Sequence, residues 1–206
     1  MNLPNIITLS RIPVMFVIVW LMYCPAPGAA TAAFVLFILA AVGDWLDGYI
    51  ARTQGLVTSF GKLMDALADK IMVLGVVIGF VGIVHEVNGV NENEIPVVLA
   101  LVTLCREFLV TGMRMVAASK GVIVPADRGG KSKTVTQLIA LGFLLAAPMV
   151  RLDWPRFFGG DFLSFAMRVH QIGATVFWAG TALAVWSGTR YVLRYRQVVF
   201  ADSTAA

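Results

Sequence analysis

Charge is what this chain has least of. Only 14% of its 206 residues are Asp, Glu, Lys or Arg, while 59% are hydrophobic; a soluble domain carries about 25% charged and 45–50% apolar residues. The deficit excludes an ordinary water-soluble domain and a disordered, highly charged chain. Cysteine is almost absent. Cys24 and Cys105 are the only two, each within or beside an apolar run and without His or Cys at ligand spacing, so neither a disulfide framework nor a thiolate metal site is expected. No basic patch with interleaved aromatics occurs, and nucleic acid is not an expected partner. No internal repeat or low-complexity tract appears, which gives an inverted-repeat transporter little support. Residues 1–10 carry no basic cluster ahead of an apolar stretch, so a cleaved signal peptide is not expected.

What is present is a series of long, continuous apolar runs, and mean hydropathy is +0.83. Continuous rather than alternating runs point to membrane helices, not a barrel, and each span needs about 20 residues. Six segments stand out: residues 11–25, 28–50, 62–84, 95–118, 132–150 and 169–193. Pro25-Ala26-Pro27-Gly28, Asn88-Gly89, Pro125 with Gly129-Gly130, and Gly159-Gly160 separate them. Residues 2–10 read as a short interfacial helix, with Asn2 a candidate N-cap. The expected fold is an all-α integral membrane protein of six transmembrane helices plus that short helix, one domain over 1–206. With both termini cytoplasmic, every Lys and Arg except Arg151, Arg156 and Arg168 falls on the cytoplasmic side, opposite Glu86, Glu92 and Glu94. The polar ends of segments two to five then share one cytoplasm-facing cavity. A net charge of +4 suits a neighbour of anionic headgroups.

Against this background four carboxylates are anomalous. They stand as Asp44-x2-Asp47-Gly48-x2-Ala51-Arg52-x8-Gly61-x3-Asp65-x3-Asp69. A carboxylate in a membrane helix costs about 2.5–3.5 kcal/mol on insertion scales and marks a functional site by default. Asp44, Asp47, Gly48 and Ala51 share one helix face, as do Asp65 and Asp69. The short linker makes the two helices antiparallel neighbours whose Asp pairs converge. Carboxylates so gathered repel one another unless cations neutralise them. Oxygen ligands suit Mg2+ or Mn2+, and four are enough for two divalent cations, a known clamp for displacement at phosphorus. Gly48, Ala51 and Gly61 leave room for a bulky group, and Arg52 is placed to grip a phosphate. Interhelical salt bridges, or an ion or proton transporter, are the competing readings. The concentration of charge on one side speaks against a transport path.

The Asp44–Asp69 string resembles the signature of the CDP-alcohol phosphatidyltransferases at every specified position. Residues 2–11, Arg106-Glu107-Phe108-Leu109-Val110-Thr111-Gly112-Met113-Arg114 and Gly130-Lys131-Ser132-Lys133-Thr134 resemble the bacterial members that make phosphatidylglycerophosphate. The resemblance implies a six-helix membrane fold, usually a homodimer, that transfers a phosphatidyl group from CDP-diacylglycerol to an alcohol and releases CMP. It implies one metal on Asp44, Asp47 and Asp65, a second on Asp44, Asp65 and Asp69, and Asp69 as general base. It places Gly48, Ala51, Arg52, Thr58 and Gly61 against CDP-diacylglycerol.

Arg106, Arg114, Lys131 and Lys133 lie near the same cytoplasmic pocket. Such cations suit an acceptor with a dianionic phosphate, sn-glycerol 3-phosphate, over plain glycerol or serine; phosphatidylglycerol, as in a cardiolipin synthase of this fold, and inositol phosphate are the rival acceptors. The plain alternative is snorkelling cations with an Arg114–Glu107 bridge. The expected location is the cell membrane, with the site open to the cytoplasm. Asn5, Thr8 and Arg11 either border the nucleotide pocket or cap the interface; His85 and His170 fall on the far side.

Overall fold

Long helices follow the apolar runs, and their breaks follow the turn signals. The computed structural model describes residues 3–53, 59–87, 90–122 and 128–200, with side chains described over 9–44, 46, 64, 67–84, 94–122 and 133–196. Among these are α1 (Leu3–Tyr23), α2 (Ala29–Thr53), α3 (Ser59–Val81), α4 (Val97–Ser119), α5 (Arg128–Pro148), the short α6 (Trp154–Phe158) and α7 (Leu163–Phe200). A single π-helical turn, Met149–Asp153, joins α5 to α6.

One expectation changes. The separate interfacial helix over 2–10 is instead the first part of α1, which runs unbroken from Leu3 to Tyr23 with Pro13 inside it. No glycine or turn sequence interrupts that stretch, and an apolar helix tolerates one proline when its neighbours re-satisfy the freed carbonyl. One short hairpin accompanies the helices of an otherwise all-helical fold. Val84–Val87 (β1) and Val90–Asn93 (β2) pair antiparallel with Val84 opposite Asn93 and Val87 opposite Val90. The signal was legible: Asn-Gly flanked by Val87 and Val90 is a hairpin sequence.

The helix ends are chemically specified. Gly28 takes φ +83° in the turn before α2, a conformation glycine adopts without a Cβ penalty. At the far end of α4, Gly121 takes φ +76°, while Val122 N–H donates to Ala117 O at 2.9 Å and Gly121 N–H to Ala118 O at 3.0 Å. That is a Schellman stop, which satisfies two terminal carbonyls. The start of α2 is capped from a distance. Asp153, 1% exposed, accepts hydrogen bonds from Gly28 N–H at 2.9 Å, Thr31 N–H at 2.8 Å and Thr31 Oγ1 at 2.7 Å. A carboxylate at a helix N-terminus meets both orphan donors and the positive end of the helix dipole.

The contacts set helix direction. Gly75 faces Met15, Gly79 faces Met22, and Tyr23 Oη donates to Gly79 O at 2.6 Å, so α1 and α3 are parallel. Thr103 meets Thr181 and Arg106 meets Ser187, so α4 and α7 are parallel. Gly173 packs on Leu144 and Gly180 on Thr136, so α5 opposes α7. The core between them is dry: Ile18, Phe37, Val76, Phe80, Leu141, Leu144 and Phe177 are almost wholly buried. Helix α1 packs broadly on both α2 and α3, so it lies beside both Asp-bearing helices, whose Asp44 and Asp69 line one pocket.

The outer surface is apolar as well. Phe16, Trp20, Leu39, Val98, Phe108 and Trp178 are more than half exposed, a distribution that a water-facing surface avoids and lipid accommodates. Among the described residues, Lys133–Phe158 is the one helical stretch both long and apolar enough to cross a membrane; Leu9–Tyr23 and Ala29–Asp44 are shorter apolar helices.

Candidate active site

The pocket that matters opens between α1, α2, α3 and α5. Arg11, Phe37, Ala40, Ala41, Asp44, Asp69, Met72 and Leu138 line it, and it has room for a guest of water or ion size, about 20 Å3. Asp44 comes from the C-terminal half of α2 and Asp69 from the N-terminal half of α3, so antiparallel α2 and α3 bring both carboxylates to one end of the bundle. Ala40 and Ala41 keep the α2 wall low beside them. Arg11, 4% exposed, forms an ion pair through Nη1 with Asp44 Oδ1. Arg11 therefore belongs to the carboxylate site rather than to an interfacial cap. The local sequence signal, Ser10-Arg11 entering an apolar run, did not name its partner 33 positions on.

The other charge-bearing positions of the motif are only partly visible. Asp47, Gly48, Ala51 and Arg52 lie on α2, and Gly61 and Asp65 on α3, but their side chains are outside the described residues, and Thr58 is outside them altogether. Among the described residues no three of His, Cys, Asp and Glu gather as a metal cluster. The donor chemistry nevertheless fits a hard cation. Two carboxylates from different helices face one ion-sized space, and oxygen donors of this kind suit Mg2+ or Mn2+.

A second polar cluster runs between α4, α5 and α7. Glu107 Oε1 accepts from Arg106 Nη1 at 2.8 Å and pairs with Lys133 Nζ. Lys133 is 3% exposed, and both Arg106 and Glu107 side chains are 12% exposed. Arg106 is also fastened to α7: Nε donates to Ala184 O at 3.1 Å and Nη2 to Ser187 Oγ at 3.1 Å. Gly188 makes space for it, since a Cβ there would sit 3.1 Å from Arg106 Cγ. One turn away on either helix, Thr103 and Thr181 hydroxyls lie 3.5 Å apart, fully buried. The two clusters communicate, because Lys133 is near enough to Asp69 for their charges to interact.

The four cations expected at an acceptor site are not all gathered. Arg106 and Lys133 converge on Glu107. Arg114 is exposed and lies about 12 Å further along α4, at 1.5 Å per residue. Glu107 turns to Arg106 and Lys133, not to the Arg114 bridge weighed above. Lys131 lies on α5 with its side chain outside the described residues. Ser187 and Thr181 are site neighbours that the sequence did not reveal; small hydroxyls every six residues in an apolar helix were the available signal. His170 meets Glu94 at 2.6 Å, far from the Asp pocket, and Cys24 and Cys105 are free thiols.

Comparison with known proteins bears on this geometry. The family model described as CDP-alcohol phosphatidyltransferase matches residues 1–186. The chain is 34% identical over 190 residues to a CDP-diacylglycerol–glycerol-3-phosphate 3-phosphatidyltransferase of Rickettsia bellii, covering 92% of this chain and 93% of the relative. It is 40% identical over 156 residues to the protein of the same name from Bacillus subtilis, covering 70% and 76%. A cardiolipin synthase (CMP-forming) from Oryza sativa subsp. japonica is 36% identical over 152 residues, covering 71% of this chain and 46% of that one.

Proposed function

The chain belongs to the CDP-alcohol phosphatidyltransferase family, and from that premise we propose that it transfers the phosphatidyl group of CDP-diacylglycerol to sn-glycerol 3-phosphate, giving phosphatidylglycerophosphate and CMP. The observation that carries the chemistry is the convergence of Asp44 and Asp69 on one pocket lined from four helices. In the reaction a hydroxyl oxygen of glycerol 3-phosphate bonds to the phosphatidyl phosphorus, the bond from that phosphorus to the CMP oxygen breaks, and CMP leaves with the electron pair. Asp69 accepts the hydroxyl proton, the role of a general base within reach of the reacting group. Asp44, Asp47, Asp65 and Asp69 hold two divalent cations, Mg2+ or Mn2+, whose charge offsets the diphosphate and the negative charge growing on CMP. Gly48, Ala51, Arg52, Thr58 and Gly61 accommodate the CDP-diacylglycerol diphosphate and nucleotide. Arg11 fixes the carboxylate of Asp44 through their ion pair.

The acceptor phosphate is read at Lys133 and Arg106, with Lys131 and Arg114 towards the mouth. A buried cation pair at Glu107, whose Lys133 also feels the charge of Asp69, suits a small phosphorylated alcohol that enters from water. The same chemistry with phosphatidylglycerol as acceptor is the second reading, favoured by the likeness to the rice protein named as a cardiolipin synthase. In the membrane we read six spans, α1 to α5 and α7, with both termini and the site on the cytoplasmic side and a homodimer as the working unit. The exposed apolar side chains and the collection of polar residues at one end of the bundle support it.

The test is an acceptor panel. Purified protein in detergent with Mg2+ or Mn2+ is expected to release CMP from CDP-diacylglycerol when glycerol 3-phosphate is supplied. Equal release with phosphatidylglycerol or inositol phosphate would overturn the acceptor assignment.

A further inference from the structure

In the buried ion cluster on α4 and α5, two cations turn to the same carboxylate. Arg106 and Lys133 both turn to one oxygen, Oε1 of Glu107, and Lys133 is 97% buried by the 3% exposure of its side chain. A buried charge without a partner is costly, and two cations close together repel. Glu107 therefore makes the cluster stable before any substrate arrives. Each cation still has donors to spare. A guanidinium offers five N–H bonds and an ammonium three, whereas Arg106 spends one each on Ala184 O, Glu107 and Ser187 Oγ. The guanidinium is also pinned to α7, so it stays in place if Glu107 turns away. One turn along α5 from Lys133, Gln137 is 1% exposed and its amide nitrogen has no acceptor among the described residues. A buried donor of this kind is the mark of a polar guest.

We propose that Glu107 is an internal stand-in for the acceptor phosphate: it occupies the Arg106–Lys133 cation pair in the resting enzyme and gives way when a phosphate monoester binds there. Glu107 is thus a positioning residue that sets anion affinity. It keeps the two cations charged and aligned, and it competes with the phosphate for them. The proposal rests on the acceptor reading above. Its consequence has an unusual sign. Removing the carboxylate without changing its shape should tighten anion binding, where the loss of an ordinary binding residue weakens it.

The experiment compares wild type with Glu107→Gln, measuring KM for glycerol 3-phosphate and competitive inhibition by inorganic phosphate at fixed ionic strength. Both constants are expected to fall by about tenfold or more in the variant, from the low end of close charge-pair coupling upward, and kcat to fall as the product is held longer. Unchanged or raised constants would make Glu107 a structural strut and overturn the proposal. Lys133→Met separates this from failure of the acceptor reading. A KM for glycerol 3-phosphate that does not rise in Lys133→Met removes the reading itself. A KM that rises there while Glu107→Gln leaves phosphate inhibition unmoved removes only the stand-in. Should Glu107→Gln not fold, Glu107→Asp keeps the charge while shortening its reach. It is expected to lower the phosphate inhibition constant by a smaller factor, and no change there would equally sink the idea.

Discussion

Asp44 and Asp69 line one pocket but are differently placed for work. Asp44 is matched to the guanidinium of Arg11, which fixes its orientation. Asp69 lines the pocket from α3, within reach of the charges of Asp44, Lys70, Lys133 and Arg11. This division suits a fixed ligand on one side and a proton acceptor on the other, and it leads to a sharp expectation for Asp69→Asn. The amide keeps the shape and loses both basicity and charge. Turnover is expected to fall by about 10²–10⁴, the usual worth of a general base, while CDP-diacylglycerol still binds, as read by retention of a labelled CDP-diacylglycerol analogue. A variant that turns over at the wild-type rate would remove Asp69 from the reaction. The spacing of the four aspartates made their shared faces legible in the sequence, because i, i+3 and i+4 geometry is local. The partners were not legible: Arg11 lies 33 residues from Asp44 and Ser187 lies 81 from Arg106. Nothing in a helical period encodes a contact made between helices.

At the scale of elements, starts and stops were easier to read than neighbours. Pro25 to Gly28 ends one run and opens the next, and Gly121 closes α4, because positive φ is a chemical demand that glycine announces. Helix α7 is longer than its apolar segment announced. Its 38 residues extend about 57 Å at 1.5 Å each, longer than a hydrocarbon core of about 30 Å, and its C-terminal part carries Arg190, Arg194 and Arg196. Asp153 was missed outright. An acid buried between two long apolar helices has to find donors, and that rule was the available signal. Its three hydrogen bonds fasten the α5–α6 junction to the start of α2. Asp153→Ala leaves those donors without their acceptor and is expected to cost about 1–3 kcal/mol, as for a lost cap. The measurement is thermal unfolding of the purified protein. Thr31 lies 13 residues from Asp44, about 20 Å along the helix, so KM for both substrates should stay at the wild-type value below the unfolding range. A raised KM for CDP-diacylglycerol in the folded variant would show that this end of α2 governs the site.

For the whole molecule, the decisive property is the direction in which the polar end faces. Arg11, Asp44, Asp69, Glu107 and Lys133 occupy the same end of a bundle whose helix directions are set by their contacts. The end of α4 and the start of α5 lie at that end, and the α6 region lies at the other. CDP, glycerol 3-phosphate and divalent cations are charged and enter from water, while acyl chains stay in lipid. A site at one end, flanked by an apolar surface, serves both. The orientation we propose puts that end, with its basic residues, towards the cytoplasm and Arg151, Arg156 and Arg168 at the opposite end. Orientation can be read with a membrane-impermeant maleimide in intact cells, after both native cysteines are replaced. Phe158→Cys, in exposed α6, is expected to react from outside. Ser119→Cys, exposed at the end of α4, is expected to react only after permeabilisation. The reverse pattern would put the aspartate pocket on the outer face, away from any cytosolic supply of nucleotide-activated lipid precursors, and would defeat the functional reading along with the topology.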